Sequence, residues 1–396
     1  MSELQKVALV FSGGPAPAAN AVISSAALGF IDNGFEVLGI LDGFSRLEKF
    51  NPEENTLVEG TDYLKLDTSI SGIRNRPGIF IRSSRANPGK MVKSRADLDS
   101  EAPTVRLRSV KAALDSLGVG LLVTMGGDDT LKTANFLNLM GLKVIHVPKT
   151  IDNDYYGIAW TFGFWSAIEA AKRTLLNLKA DADSTGAYFM VELMGRKAGW
   201  LAYASAVAGE ACAVVAAEDV EDTFNPDELA SRFANLIIER ERDERRSGVI
   251  CIAEGLAEKL EDRFKPRDID EHGNVYYGHA ELCKSLAEKT SALYKDRTGR
   301  KKKINPKQVG YETRCAPPIS YDVVLGAALG FGAYRLHKKG LYGHMVSVRD
   351  NMELAAVPFS DLIDPETMLT KIRLVPPKGD FFRLKEALSF PVDDEP

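Results

Sequence analysis

Short apolar runs, each followed by a segment of helical length, are the feature of this sequence that most constrains its fold. Val7–Phe11 is typical of a buried strand, Ala21–Asn33 of a helix rich in small residues, and Glu36–Leu41 of the next strand. This β-α-β order, with glycines in its first turn, predicts a parallel sheet with helices on both faces. We therefore expect an α/β fold.

The same alternation continues to residue 147 and starts again after Gly157. In the first block we expect a helix at Lys111–Leu117, a strand at Val119–Thr124, a helix at Leu131–Leu139 and a strand at Lys143–Val147. The second block predicts helices at Phe164–Leu178, Gly199–Val207 and Pro226–Arg245 (capped by Asn225), with strands at Tyr188–Leu193, Ala213–Ala217 and Val249–Ala253. A third helix-rich stretch covers Tyr321–Lys338. A chain of 396 residues favours two domains. We expect residues 1–160 plus about 321–343 in one, and 161–320 plus about 344–396 in the other.

Bulk composition excludes several classes of function. A net charge of -5 and a pI near 5.7 argue against a nucleic-acid binder. The four cysteines show no CxxC spacing, and Cys212 and Cys251 lie in apolar runs, so buried reduced thiols are expected. The scattered histidines do not favour a zinc site. The sequence has no apolar stretch of eighteen residues and no signal-peptide pattern, so we expect a cytoplasmic protein without a membrane partner.

Small residues and carboxylates follow the apolar runs. Ser12-Gly13-Gly14 follows the first, and Gly126-Gly127-Asp128-Asp129 follows a later one. Glycines let backbone amides approach a phosphate, and a carboxylate can bind a Mg²⁺ that bridges phosphate oxygens. Two structural alternatives without ligand binding stay open, because a glycine pair also makes a tight turn and Asp128 also suits a helix N-cap.

Two further groups of residues suit phosphoryl transfer. Thr150-Ile-Asp152-Asn-Asp154 puts two carboxylates after a strand, and one carboxylate can take the proton from an acceptor hydroxyl. A solvated Asx-turn is the alternative. Arg85, Arg196 and Arg314 carry guanidinium groups that chelate phosphate well, although most surface arginines have no such role.

Together these segments resemble the phosphofructokinase family, and in particular its pyrophosphate-dependent branch. The matching segments occur in the family's order: Ser12–Gly14, Gly126–Asp128, Pro148–Asp154, Met194–Arg196, Ala253–Gly255 and Tyr311–Arg314. The resemblance implies two Rossmann-like parallel-sheet domains of the phosphofructokinase type. The first would bind pyrophosphate and Mg²⁺, and the second a sugar phosphate. It also implies a homodimer or homotetramer.

The resemblance assigns roles to individual residues. Gly13, Gly14 and Arg85 would bind the donor phosphate, and Asp128 would bind Mg²⁺. Asp152 would be the base for the 1-hydroxyl of fructose 6-phosphate, with Lys149, Asp129 and Arg196 in the catalytic group. The sugar phosphate would contact Thr150, Asp152, Met194, Gly195, Arg196, Glu254, Tyr311 and Arg314.

Asp129 and Lys149 bear on the choice of phosphoryl donor. ATP-using relatives have glycine at the position of Asp129, which leaves room for the α-phosphate of the nucleotide. A carboxylate there would repel it by about 4 kcal/mol for like charges about 4 Å apart at an effective dielectric of about 20. The alternative for Asp129 is a carboxylate placed at a helix start by the helix dipole. Lys149 would offset charge on the transferred phosphoryl group, although some ATP users carry that lysine.

Two departures from the short bacterial members leave the binding of the 6-phosphate open. Ala187 stands where those members have an arginine that reaches a neighbouring subunit, and Cys315–Ser320 replaces a glycine-rich segment.

Three rival functions stay open: an ATP-dependent 6-phosphofructokinase, a pyrophosphate-dependent kinase of another sugar phosphate such as sedoheptulose 7-phosphate, and a catalytically silent regulatory subunit. Two segments have open roles, with Ser83–Arg108 a lid or subunit contact and the basic run Arg297–Lys303 either a solvated loop or an anion entrance.

Overall fold

The computed structural model describes residues 5–265 and 281–389. The strands are β1 (Lys6–Phe11), β2 (Glu36–Ile40), β3 (Tyr63–Leu66), β4 (Val119–Gly126), β5 (Val144–Pro148), β6 (Tyr188–Leu193), β7 (Ala213–Val215), β8 (Gly248–Ala253), β9 (Ile304–Val309), β10 (His344–Val348) and β11 (Leu354–Pro358). The helices are α1 (Ala19–Ile31), α2 (Glu101–Ser116), α3 (Asp128–Leu139), α4 (Phe164–Thr185), α5 (Trp200–Ala208), α6 (Pro226–Arg242), α7 (Leu282–Thr298), α8 (Tyr311–Arg314), α9 (Ser320–Lys338), α10 (Phe359–Leu362) and α11 (Asp380–Leu388). These residues form two compact units. Unit 1 holds residues 5–151, 155–166 and 314–372, and unit 2 holds the remainder.

Unit 1 is built on a seven-stranded sheet in the order β11-β10-β5-β4-β1-β2-β3. The central strands are parallel, and the edge strands β3 and β11 pair antiparallel with their neighbours. Helices α1 and α9 pack closely on each other because Gly330 has no side chain. A Cβ atom at this position would lie 2.3 Å from the Val22 carbonyl oxygen. The predicted α/β class is confirmed in this unit.

Unit 2 contains a four-stranded parallel sheet in the order β7-β8-β6-β9. Helix α6 packs its apolar face into the core of this unit through Leu229, Phe233 and Ile237. The helix begins as predicted, because Asn225 Oδ1 accepts a hydrogen bond from Asp227 N at 2.9 Å and Pro226 occupies the first helical position. The prediction of a second parallel-sheet unit is confirmed.

The chain divides differently from the sequence-based division, because residues 152–154 belong to unit 2, whereas residues 161–166, 314–320 and 344–372 belong to unit 1. Residues 344–372 belong to unit 1, because β10 pairs with β5 and with β11. Helix α2 begins at Glu101, inside the segment Ser83–Arg108, and its Pro103 is tolerated in the first turn. Strand β9 was also missed, since Pro306 argues against a strand except at a sheet edge, where β9 lies.

The basic run has a structural role within unit 2. Arg297 donates to the Ser231 carbonyl at 2.9 Å, and Lys302 donates to the Gly186 carbonyl at 3.2 Å. Lys302 also pairs with Glu241. These contacts tie the end of α7 to α6 and to the start of β6, while Arg300, Lys301 and Lys303 are exposed, as expected for a solvated loop.

The cysteines are free thiols. Cys212, Cys251 and Cys283 are buried, as expected, and burial raises the pKa of each thiol, that of Cys283 to about 12. Cys315 differs because it is exposed. Among helices in the described ranges, none has the length and apolar character needed to cross a bilayer.

Candidate active site

Three of the predicted motifs lie at one edge of the unit 1 sheet. Phe11 pairs with Met125, and Gly126 pairs with Pro148, so β1, β4 and β5 end side by side. The segments that begin at Ser12, Gly127 and Lys149 follow these ends directly. Ligands of open α/β sheets bind beyond the carboxyl ends of the strands, so this edge is the candidate donor site.

The turn after β1 is held by its neighbours. Ser12 N donates to the Met125 carbonyl at 2.9 Å, and Gly13 adopts a left-handed φ of 89° that favours glycine. Gly13 also donates from N to the Ser84 carbonyl at 2.8 Å and accepts from Ser83 Oγ at 2.6 Å. The exposed Arg85 follows these serines directly in the chain.

Two cationic side chains converge on this glycine turn. A Cβ atom placed on Gly13 would lie 3.4 Å from Lys149 Nζ, and one placed on Gly14 would lie 3.2 Å from Arg314 Nη1. Lys149 is 8% exposed, so its charge is held in a largely desolvated position. Arg314, which the family resemblance groups with the sugar phosphate, has its guanidinium group at the Ser12–Gly14 turn of unit 1.

The Gly126–Asp129 segment carries two carboxylates into the first turn of α3. Gly127 is the N-cap and makes no side-chain capping bond, so Asp128 does not serve as the cap considered from the sequence. A side chain at Gly126 would lie 2.2 Å from Thr130 Oγ1, which explains the glycine there. The Asp129 side chain is 65% exposed and pairs with Lys132 at 2.9 Å.

A buried chain of hydrogen bonds runs from Thr124 through His146 and Tyr155 to the Gly126 carbonyl. His146 Nδ1 lies 2.9 Å from Thr124 Oγ1, and His146 Nε2 lies 3.0 Å from the Tyr155 hydroxyl, which donates to the Gly126 carbonyl at 3.1 Å. Burial, with a further contribution from the charge of Lys149, lowers the pKa of His146 to about 3. A neutral imidazole is thus linked through Tyr155 to the start of the carboxylate segment, and no local pattern in the sequence predicts it.

The residues after β5 are fixed by both neighbouring segments. Lys149 N donates to the Gly126 carbonyl at 2.9 Å, and Thr161 Oγ1 donates to the Thr150 carbonyl at 2.7 Å. The backbone of the Lys149-Thr150 pair is therefore set by hydrogen bonds on both sides. This arrangement leaves the lysine side chain directed at the turn after β1.

Three other predicted motifs follow the ends of adjacent strands in unit 2. Leu193 pairs with Ala253 on one side and with Val309 on the other, so β6, β8 and β9 end together. Met194–Arg196, Glu254-Gly255 and Tyr311 come directly after these ends. The predicted sugar-phosphate residues other than Thr150, Asp152 and Arg314 are thereby brought to one edge of this sheet.

The contacts between these motifs are close. A side chain at Gly255 would lie 2.1 Å from the Arg196 carbonyl oxygen, so only glycine fits there. Gly195 has a φ of 127°, which also favours glycine. Arg196 donates from Nε to Glu258 at 2.7 Å, and Tyr311 is 68% exposed. The arginine and the phenol ring thus present polar groups at the strand ends.

The predicted base lies in a tight turn of unit 2. Asp152 and Asp154 are half-buried, and Asn153 between them is fully buried with a left-handed φ of 55°. Asparagine tolerates this conformation better than most residues. The middle of the turn is therefore shielded from water, while its two carboxylates are partly accessible.

A divalent cation would fit the carboxylates after β4. Across residues 5–265 and 281–389, no group of three histidine, cysteine or acidic side chains could hold a metal ion by itself. Mg²⁺ is commonly bound through one or two carboxylates together with substrate phosphates. Asp128, half-buried in the first turn of α3, has the donor chemistry for that mode of binding.

Comparison with known proteins agrees with the fold and with the motifs. The Phosphofructokinase family model matches residues 6–337. A pyrophosphate–fructose 6-phosphate 1-phosphotransferase of Thermotoga maritima is 33% identical and covers 96% of this chain and 89% of its own. An ATP-dependent 6-phosphofructokinase of Streptomyces coelicolor is 32% identical, with 91% and 95% covered. The crystal structure of a pyrophosphate-dependent phosphofructokinase from Marinobacter aquaeolei superposes with a TM-score of 0.67 at 18% identity, covering 96% of this chain and 88% of that one, which is a likeness of fold.

The chain therefore belongs to the phosphofructokinase family and is an enzyme of that family. The predicted fold class and the family resemblance are both confirmed. Because relatives named for pyrophosphate and for ATP are similarly close, the family alone does not fix the donor.

Proposed function

We propose that this enzyme transfers a phosphoryl group reversibly from pyrophosphate to the 1-hydroxyl of D-fructose 6-phosphate. The products are fructose 1,6-bisphosphate and phosphate. Unit 1 would bind the donor and unit 2 the acceptor. The observation that carries the donor assignment is the pair of cations at the glycine turn, where Lys149 Nζ and Arg314 Nη1 lie within 3.4 Å of the positions a Cβ would take on Gly13 and Gly14.

The chemistry of the donor turn favours a small, highly charged ligand. Lys149 is largely desolvated, so its attraction for phosphate is screened less than that of a surface lysine. The guanidinium of Arg314 adds two parallel donors. Asp129 adds negative charge at the start of α3, where an α-phosphate would lie in the ATP-using relatives. These groups together favour the inorganic donor.

The proposed reaction proceeds by displacement at phosphorus. The 1-hydroxyl oxygen forms a bond to one phosphorus of pyrophosphate, the bond to the bridging oxygen breaks, and Asp152 takes the hydroxyl proton. Lys149, Arg85 and Arg196 offset charge on the transferred and leaving groups. Mg²⁺, when bound at Asp128, would neutralise charge on the donor phosphates.

A donor-by-acceptor activity matrix tests this proposal. Initial rates are measured with pyrophosphate or ATP as donor and with fructose 6-phosphate or sedoheptulose 7-phosphate as acceptor, all with Mg²⁺. We expect the highest kcat/KM for pyrophosphate with fructose 6-phosphate, and production of pyrophosphate from fructose 1,6-bisphosphate and phosphate. A higher kcat/KM with ATP would refute the donor assignment.

A pair of lysine variants tests the observation itself. Lys149→Met should lower kcat/KM for pyrophosphate about a hundredfold, the usual cost of removing one preorganised charge-stabilising group. Lys143 is exposed and precedes the same strand at its other end, so Lys143→Met is the matched control and should leave the rate unchanged. Equal effects of the two variants would contradict the role of Lys149.

A further inference from the structure

The turn that holds the proposed base is contacted by an arginine from far along the chain. Arg373 Nη2 donates to the Asn153 carbonyl at 2.8 Å, and Arg373 N donates to the Asp154 carbonyl at 2.8 Å. Both contacts lie within unit 2. Two successive carbonyls of the turn thus accept hydrogen bonds from one residue.

Arg373 is itself held in place by a tryptophan. Its guanidinium carbon lies 4.4 Å from the centroid of the Trp200 ring, and Trp200 Nε1 donates to the Arg373 carbonyl at 2.9 Å. Trp200 in turn stacks on Phe381 of α11, with centroids 5.3 Å apart. A planar guanidinium stacked on an indole has a fixed orientation, which a flexible lysine does not provide.

Arg373 is a half-buried charged residue close to the carboxylate of Asp154. Burial lowers the pKa of its guanidinium to about 10, while the nearby carboxylate of Asp154 favours the charged form. The turn also contains the left-handed Asn153, with φ 55°, which needs external contacts to persist. Arg373 supplies such contacts.

We propose that Arg373 is a positioning residue, which holds the Asp152–Asp154 turn so that the Asp152 carboxylate faces the acceptor hydroxyl. The proposal rests on the assignment of Asp152 as the base. Arg373 need not touch the substrate, since it acts through the backbone of the turn. A misplacement of a catalytic group by about 1 Å costs about a hundredfold in rate, so loss of this contact should lower kcat rather than raise KM.

Hydrogen–deuterium exchange tests the contact without any assay of activity. In Arg373→Met, amides in a peptide spanning residues 150–156 should exchange about tenfold faster than in the wild type, because the turn loses a long-range contact. Arg383 is exposed on α11 of the same C-terminal segment, so Arg383→Met is a matched control with the same change in charge. Unchanged exchange in Arg373→Met overturns the proposal, whether or not the enzyme uses pyrophosphate.

Kinetics then test the effect on the base. Rates are measured with pyrophosphate or ATP, whichever is the better donor for the wild type. Arg373→Met should lower kcat at least about tenfold in the forward and reverse reactions, while each KM stays within about threefold of the wild-type value. Arg373→Lys, which retains one donor but not the planar group, should lose less and serves if the methionine variant does not fold. A KM effect with kcat preserved, or the same losses in Arg383→Met, overturns the proposal. If the wild type turns over neither donor, the proposed function fails and the exchange result decides the inference.

Discussion

The carboxylate of Asp129 offers a quantitative test of donor selection. The family resemblance implies that glycine at this position leaves room for the α-phosphate in members that use ATP, so the informative substitutions are Asp129→Asn and Asp129→Gly. The first removes the charge and keeps the volume, and the second removes both. Lys132→Met is the reciprocal change, because Lys132 pairs with Asp129 at 2.9 Å.

The structure sets the size of the expected effect. Like unit charges about 4 Å apart cost about 4 kcal/mol at an effective dielectric of about 20, but only about 1 kcal/mol in water. Asp129 is 65% exposed and its charge is partly offset by Lys132, so the lower figure applies. This corresponds to about a fivefold change in affinity, far below the thousandfold that a buried carboxylate would give.

The assay is the ratio of kcat/KM for Mg·ATP to that for Mg·pyrophosphate, at saturating fructose 6-phosphate. We expect the ratio to rise about fivefold in Asp129→Asn and further in Asp129→Gly, and to fall in Lys132→Met. The opposite sign for the lysine variant separates electrostatics from a general loss of structure. If the ratio is the same in the wild type and both aspartate variants, repulsion by Asp129 plays no part in donor choice.

Three further predictions concern the base, the glycine at the end of β4 and the buried histidine. Asp152→Ser should lower kcat at least about a hundredfold without changing the thermal unfolding midpoint, and retained turnover would remove Asp152 from the mechanism. Gly126→Ala should cost about 1–3 kcal/mol in the free energy of unfolding, measured by urea denaturation, because the new methyl group would lie 2.2 Å from Thr130 Oγ1; a neutral effect would show that the loop relaxes freely. The pKa of His146 falls from 6.5 to about 3 on folding. The contribution of His146 to the free energy of unfolding is therefore present in full above pH 6.5 and is lost as the pH falls toward 3. His146→Gln should reduce the slope of this free energy against pH in that window by about one proton, and an unchanged slope would contradict a buried neutral imidazole.

The fold and the strand-end motifs were predictable because their signals are local. An apolar run and the turn residues after it specify a strand and its end, and parallel pairing then brings Ser12, Gly127 and Lys149 to one edge. Strand β6 was predicted with the bounds that the structure gives, Tyr188–Leu193. Strands β3 and β9 and helix α7 were missed, β9 because it contains a proline, and α2 begins ten residues before its predicted start, in a polar segment.

The supporting contacts of the site were not predictable, because they join distant parts of the chain. Arg373 and Asn153 are separated by 220 positions, and nothing near Arg373 in the sequence signals a partner. The contact of Tyr155 with the Gly126 carbonyl depends on how β4 and β5 pair. Arg314 was grouped with the sugar residues by its motif, while its side chain is directed by the tertiary structure to Gly14.

The distribution of thiols gives the enzyme a ready-made attachment point for a reporter group. Cys212, Cys251 and Cys283 are shielded, and their raised pKa values keep them protonated and slow to alkylate. Cys315 is exposed and adjoins Arg314 in the chain. A maleimide fluorophore should therefore attach at Cys315 in the unmodified protein, and its emission should report ligand binding at the nearby Ser12–Gly14 turn, which we propose binds the donor.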